Sequence, residues 1–227
     1  MSNFLVLGDG LLGSELVKQT NWEYISRKKD KINIGDFERW SNLLADYSTI
    51  VNCIANTDTY SDNYESHYEV NLVFVMKLVK YCNDTNKKLI HISTDYLYEN
   101  SKEDALEGEV EYETSPYKHS KYLADWFIEQ FSNEYLICRL SHKPHPFPYE
   151  FAWSDVVTNA DYTPVIASLV VKLIEKNATD LYNVGTEKKT IYELALKTAD
   201  VKPTLSPKHI PKNVSMDISK MKNFLKM

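Results

Sequence analysis

Glycine is scarce in this chain. Six occur among 227 residues, and three of the six, Gly8, Gly10 and Gly13, fall in one short stretch near the start. Cysteine is scarcer still. Cys53, Cys82 and Cys138 have neither metal-site nor disulfide-framework spacing. Cys53 and Cys138 lie in apolar runs where a thiol serves as a small buried residue. That usage suits a reducing compartment, and residues 4–7 are too short and too poor in basic flanks for a signal peptide, so a cytoplasmic protein is expected. Long apolar runs are missing too: residues 70–79 are interrupted by Asn71 and Lys77, so no membrane span is expected. No block of Lys and Arg stands out against a net charge of −6, which argues against nucleic acid as a partner. His142 and His145 have no further ligands beside them, so no metal is expected.

What is present is an alternation of short apolar runs with longer amphipathic ones. Strands are expected at 3–7, 22–26, 49–55, 88–93, 135–140 and 181–184, and helices at 11–20, 37–46, 64–86, 116–131, 165–176, 191–199 and 217–225. This order implies an α/β fold, a doubly wound parallel sheet of Rossmann type. Thr190 with Glu193 reads as a capping box. Residues 142–148 hold three prolines and are expected to be irregular.

The stretch Gly8-Asp9-Gly10-Leu11-Leu12-Gly13 follows the first strand and opens the first helix. Glycines so spaced allow a tight turn, close approach of a pyrophosphate, and packing of helix on strand. The helix start then offers unpaired N–H groups to the phosphates. After the second strand the chain reads Arg27-Lys28-Lys29 with no acid at the strand end, which favours the 2′-phosphate of NADP(H) over NAD(H). Asp36 and Phe37, at a helix start, suit contact with adenine, although Asp36 also suits a plain N-cap.

Tyr117 and Lys121 lie one helical turn apart and share a face. A cation beside a phenol favours the phenolate, which makes Tyr117 a candidate proton donor near neutrality. The strand at 88–93 runs straight into Ser93-Thr94-Asp95-Tyr96. Strand ends of this kind face the ligand crevice in a doubly wound sheet, so the Thr94 hydroxyl is expected to orient a substrate oxygen. A hydroxyl, a phenol and an ammonium around a carbonyl describe a hydride-transfer site with a nicotinamide cofactor.

With these residues in place the chain resembles the extended short-chain dehydrogenases/reductases, and among them dTDP-4-dehydrorhamnose reductase and its relatives. The resemblance rests on the glycine stretch, Gly35-Asp36-Phe37, Val51 to Ala55, Glu69-Val70-Asn71, His91 to Tyr96, Tyr117 with Lys121, Arg139-Leu140-Ser141, Leu181 to Gly185 and Val214 to Lys220. It implies Thr94, Tyr117 and Lys121 as the catalytic triad. It also implies cofactor contacts from Cys53, Ile54, Ala55 and Asn71, beside those read above from Gly8, Gly10, Leu11, Leu12, Gly13, Arg27, Lys28, Asp36 and Phe37, with Tyr117 and Lys121 touching the same cofactor. Asp95, Tyr96, Ser141 and His142 are then candidates for contact with a nucleotide-sugar substrate. The implied activity is NADPH-dependent reduction of a 4-keto group on a nucleotide-activated deoxysugar for polysaccharide or glycoconjugate assembly. A non-catalytic NADP-binding regulatory subunit and a nucleotide-sugar 4-epimerase are the alternatives. The resemblance also implies a homodimer paired through the helices that begin at Tyr64 and Pro116. One domain is expected over residues 1–227, with a reduced substrate-binding portion mainly at 140–165 and 185–227.

Overall fold

The computed structural model describes residues 3–99, 101–110 and 115–227. They cluster in two compact units. Of these, one holds residues 3–93, 115–137 and 177–180, the other 94–99, 101–110, 138–176 and 181–227.

The first unit begins with β1 (Phe4–Leu7), α1 (Leu11–Thr20) and β2 (Glu23–Ile25). Leu12, Gly13 and Leu16 form the buried stripe of α1, as the helical period requires. A one-turn helix, α2 (Arg27–Asp30), follows, then α3 (Phe37–Leu44) and β3 (Thr49–Asn52). The expected helix at 64–86 is a single run with a widened turn inside it: α4 (Tyr64–Tyr68), a π-helical turn (Glu69–Val73) and α5 (Phe74–Asp84). β4 (Lys88–Thr94), α6 (Pro116–Phe131) and β5 (Tyr135–Leu140) complete the series. Pro116 sits in the first turn of α6, and the Ser115 hydroxyl caps it by accepting from the Lys118 N–H at 3.3 Å.

The second unit adds β6 (His142–Lys143), β7 (Phe151–Trp153), β8 (Val157–Thr158), β9 (Asp161–Tyr162), α7 (Thr163–Glu175), β10 (Asp180–Val184), β11 (Lys189–Thr190), α8 (Ile191–Ala195), β12 (Lys202–Thr204) and α9 (Ser219–Leu225). Thr190 and Glu193 form the expected capping box at α8. Residues 142–148 are not wholly irregular, however. His142 and Lys143 pair with Asp161 and Tyr162, because the first proline is Pro144 and the two N–H groups before it remain free to join a ladder. Phe147, Val156, Tyr162, Ile191, Leu194 and Ile210 pack into a core of this unit's own.

Six strands form a parallel sheet in the order β10-β5-β4-β3-β1-β2. The order steps outward from β1 in both directions, so the strand ends beside β1 and β3 lie at the topological switch of a Rossmann-type sheet. Among the described residues no helix is long and apolar enough to cross a membrane.

Candidate active site

The glycine turn has the geometry a dinucleotide needs. Gly8 adopts φ +98°, where only glycine is unstrained, and its N–H donates to the Ile25 carbonyl at 2.8 Å. A Cβ on Gly13 would stand 2.2 Å from the Gly8 carbonyl oxygen, so α1 packs on the turn with no room for a side chain. Around Gly10 the space is open: a Cβ there would meet nothing within 4 Å. No side chain caps the start of α1 and no acid stands in its first turn, which leaves its N–H groups to an anion. Leu11 is exposed at this edge and Leu12 is buried beneath it.

The turn after β3 closes on the same place. A Cβ on Gly8 would lie 3.2 Å from Ile54 Cγ1 and 3.4 Å from the Cys53 carbonyl carbon. Cys53, Ile54 and Ala55 are all half-buried. Burial pushes the Cys53 thiol up to about 12, so it is no nucleophile. Asn71, buried in the π-helical turn, holds this segment from behind: its Oδ1 accepts from the Asn56 N–H at 2.7 Å, and its Nδ2 donates to the Asn56 carbonyl at 3.0 Å and to Ser120 Oγ at 3.0 Å. Asn71 therefore fixes the backbone that follows Cys53 to Ala55.

Arg27 and Lys28 are exposed on α2. Although no acid follows β2 directly in the chain, α2 turns one back onto its end: Asp30 Oδ2 accepts from the Ser26 N–H at 2.9 Å. Asp36 is the N-cap of α3, accepting from the Arg39 N–H at 3.2 Å. The Phe37 ring meets Phe74 and Tyr81 edge-on, at 6.0 and 6.2 Å between centroids.

Tyr117 and Lys121 are both buried on α6. The Lys121 ammonium donates to the Ile92 carbonyl at 2.7 Å and stands 3.0 Å from His91 Nε2. Burial pulls Lys121 down to about 8, with Asp125 and then Cys53 opposing. Burial and then the Lys121 charge pull His91 well below the usual imidazole range, so its ring is neutral. Ser93 Oγ donates to Asp125 Oδ2 at 2.8 Å. His91 and Ser93, two apart on β4, thus turn toward one face of α6.

In the second unit Thr94 Oγ1 accepts from the Tyr96 N–H at 3.2 Å, and its own hydrogen remains to be donated. Asp95 is buried; Thr158 donates to its Oδ2 at 3.0 Å, while Oδ1 has no hydrogen-bond partner among the described residues. Burial raises this carboxyl to about 6, with the Thr158 hydrogen bond and the Lys143 charge pulling the other way. Lys143 is lowered by burial, and Asp95 opposes that shift. Tyr96 and Ser141 are half-buried. His142 Nδ1 lies 3.1 Å from Thr163 Oγ1, whose hydrogen goes to the Lys143 carbonyl, so Nδ1 carries the ring proton. Burial, and then the Lys143 charge, lower His142 to about 4.

Four residues around these groups carry no role from the sequence alone: Asn52, His91, Asp125 and Lys143. Asp125 had a signal, since it lies one turn beyond Lys121 on the same helix. The others become visible only once strand pairing and burial are known.

A family model described as the RmlD substrate binding domain matches residues 2–142. A probable low-salt glycan biosynthesis reductase from Haloferax volcanii is 29% identical over 161 residues, 62% of this chain and 53% of that protein, so the chain spans about half the length of this curated relative. Among solved structures, a hypothetical dTDP-4-dehydrorhamnose reductase from Sulfolobus tokodaii superposes with a TM-score of 0.81 at 24% identity, over 98% of this chain and 94% of that one. A dTDP-4-dehydrorhamnose reductase from Bacillus anthracis str. Ames, in complex with NADP, superposes with a TM-score of 0.82 at 19% identity, over 98% of this chain and 92% of that one.

Proposed function

Because this chain belongs to the RmlD substrate binding domain family, we propose that it is an NAD(P)-dependent oxidoreductase that reduces a 4-keto group on a nucleotide-activated deoxysugar. The observation that carries this reading is the buried Tyr117 and Lys121 one turn apart on α6, in a unit whose glycine turn suits a dinucleotide. The names of the relatives, reductases of dTDP-4-dehydrorhamnose and of glycan biosynthesis, support it.

Gly8, Gly10 and Gly13 hold the pyrophosphate with the start of α1, and the backbone at Cys53 to Ala55, braced by Asn71, lies against the same turn. When bound, the dinucleotide supplies the hydride. Tyr117 donates its phenolic proton to the substrate oxygen, and a charged Lys121 favours the phenolate left behind. Thr94, which keeps a hydroxyl hydrogen to donate, is the group suited to orient a substrate oxygen.

NADP(H) is favoured over NAD(H). Arg27 and Lys28 make no hydrogen bond or ion pair among the described residues, so both are available to a 2′-phosphate. Asp30, the acid that would take a 2′-hydroxyl, is engaged by the Ser26 N–H. The Arg27→Ala, Lys28→Ala double variant is expected to raise KM for NADPH about 10- to 100-fold, the loss of one or two charge-assisted hydrogen bonds, and to leave KM for NADH unchanged. Equal effects on both cofactors would remove the assignment.

On the sugar side, Asp95 Oδ1 and the Lys143 ammonium both lack a hydrogen-bonding partner among the described residues. One acceptor and one donor suit a sugar hydroxyl, which both donates and accepts. Lys143→Met is expected to raise KM for the sugar about tenfold or more while KM for NADPH holds. An unchanged sugar KM would take Lys143 out of substrate recognition.

The deciding experiment is NADPH oxidation by the purified chain with a panel of dTDP- and UDP-linked 4-keto sugars. Oxidation with at least one is the expected result. A chain that binds NADPH and oxidises none is the non-catalytic subunit of the alternative reading.

A further inference from the structure

We propose that Asn52 and His91 are positioning residues that set the charge of Lys121 through a one-way chain of hydrogen bonds. This deepens the reading of Lys121 as part of the reductase site.

The chain begins at a donor that cannot turn round, the backbone N–H of Ile54, which donates to Asn52 Oδ1 at 3.1 Å. With its oxygen taken, the Asn52 amide presents Nδ2 to His91 Nδ1, 3.2 Å away. An amide nitrogen only donates, so Nδ1 must accept, and the ring proton sits on Nε2. That Nε2–H points at Lys121 Nζ, 3.0 Å away. An ammonium has no lone pair, so a charged Lys121 sets two donors against each other; a neutral amine accepts from Nε2–H and still donates to the Ile92 carbonyl at 2.7 Å.

Turning the amide over does not help. If Asn52 offered its oxygen to His91, Nε2 would become an acceptor for the ammonium, but Nδ2 would then confront the Ile54 N–H. Whichever way the amide lies, a charged Lys121 leaves one pair of donors opposed. Asn52 and His91 are fully buried, so water does not relieve the conflict. Asp125 Oδ1, at 3.9 Å from His91 Nε2, is too far to take that proton. The groups that favour the charged form are Asp125 on α6 and then Cys53 after β3; Tyr117 lies one turn earlier on α6. Burial pulls Lys121 in the same direction as the chain, to about 8. Lys121 is therefore a cation that releases its proton just above neutral pH, and not a permanent charge.

The first test needs no activity. NMR of protein with 15N-labelled histidine distinguishes the two ring tautomers, and the signal lost in His91→Gln identifies His91. The expected result is a bare Nδ1 and a protonated Nε2 above about pH 8, where Lys121 is neutral. A protonated Nδ1 in the parent protein at that pH overturns the proposal.

The second test is the pH profile of kcat/KM. Asn52→Asp accepts from both Ile54 and His91, and Asn52→Leu removes the amide donor without adding charge. Both variants are expected to move the basic limb upward by about one unit or more. A merely structural Asn52 would lower kcat or Tm at every pH and leave the limb in place, and that outcome in a folded variant also overturns the proposal. If the parent turns over no sugar, the functional reading fails, and the tautomer measurement still decides this one.

Discussion

Gly13→Ala is expected to lower Tm by about 2–12 °C and to abolish dinucleotide binding, whereas Gly10→Ala is expected to keep Tm and lose only the binding. The two glycines lie three residues apart in one turn, yet they serve different purposes. At Gly13 the new methyl would stand 2.2 Å from the Gly8 carbonyl oxygen and 3.1 Å from its carbon. Both obstacles are backbone and cannot rotate away. Gly8 is itself pinned, at φ +98° with its N–H on the Ile25 carbonyl. The start of α1 must therefore lift off β1. Overpacking of this kind costs about 1–3 kcal/mol and sometimes more, which at roughly 2–4 °C per kcal/mol for a chain of this size gives the stated shift. At Gly10 the backbone is ordinary, with φ −66°, and the space beyond is open, so alanine fits the folded chain. What the methyl occupies there is room a pyrophosphate would use. Thermal unfolding of both variants, with and without NADPH, reads the contrast. A Gly10→Ala protein stabilised by NADPH as strongly as the parent would show that the turn does not cradle phosphate.

How much of this was legible in the sequence depends on the range over which each signal acts. The limits of α1, α6 and β5 follow from local periodicity, capping and proline placement, and the structure has them at Leu11–Thr20, Pro116–Phe131 and Tyr135–Leu140 as expected. β3 stops at Asn52 rather than at residue 55, because after a last bond from the Cys53 N–H to the Leu7 carbonyl the chain leaves the ladder, the Ile54 N–H going to Asn52 Oδ1 and the Asn56 N–H to Asn71 Oδ1. The widened turn at Glu69–Val73 leaves no mark on helical spacing over so few residues. β6, β8, β9 and β11 are two residues each, and a two-residue ladder has no period to read; its partner lies elsewhere in the chain. In the candidate site, Tyr117, Lys121, Thr94 and the glycines carry chemistry in their residue types. His91 does not: on a buried strand a histidine reads as core, and only its placement between Asn52 and Lys121 makes its proton matter.

Tyr117→Phe is expected to lower kcat by about 10²- to 10⁴-fold, the span general acid catalysis contributes, while leaving NADPH binding and Tm close to the parent's. Phenylalanine keeps the ring that occupies this buried position, and with it the edge-on contact to His67 at 6.1 Å between centroids. The Ser120 hydroxyl donates to the Tyr117 backbone carbonyl at 2.8 Å, a bond indifferent to the side chain, so α6 and the Asn71 brace attached to Ser120 keep their form. Only the hydroxyl is lost, and with it the proton for the substrate oxygen. An uncatalysed protonation from water must then serve, which is why KM for the sugar should move far less than kcat. Steady-state kinetics with the best sugar of the panel, beside a fluorescence titration with NADPH, separates the terms. Parent-like turnover in this variant would remove Tyr117 as proton donor. A large fall in NADPH affinity would instead make the phenol a cofactor-binding group, and would leave the source of the proton to be sought among Thr94 and Lys121.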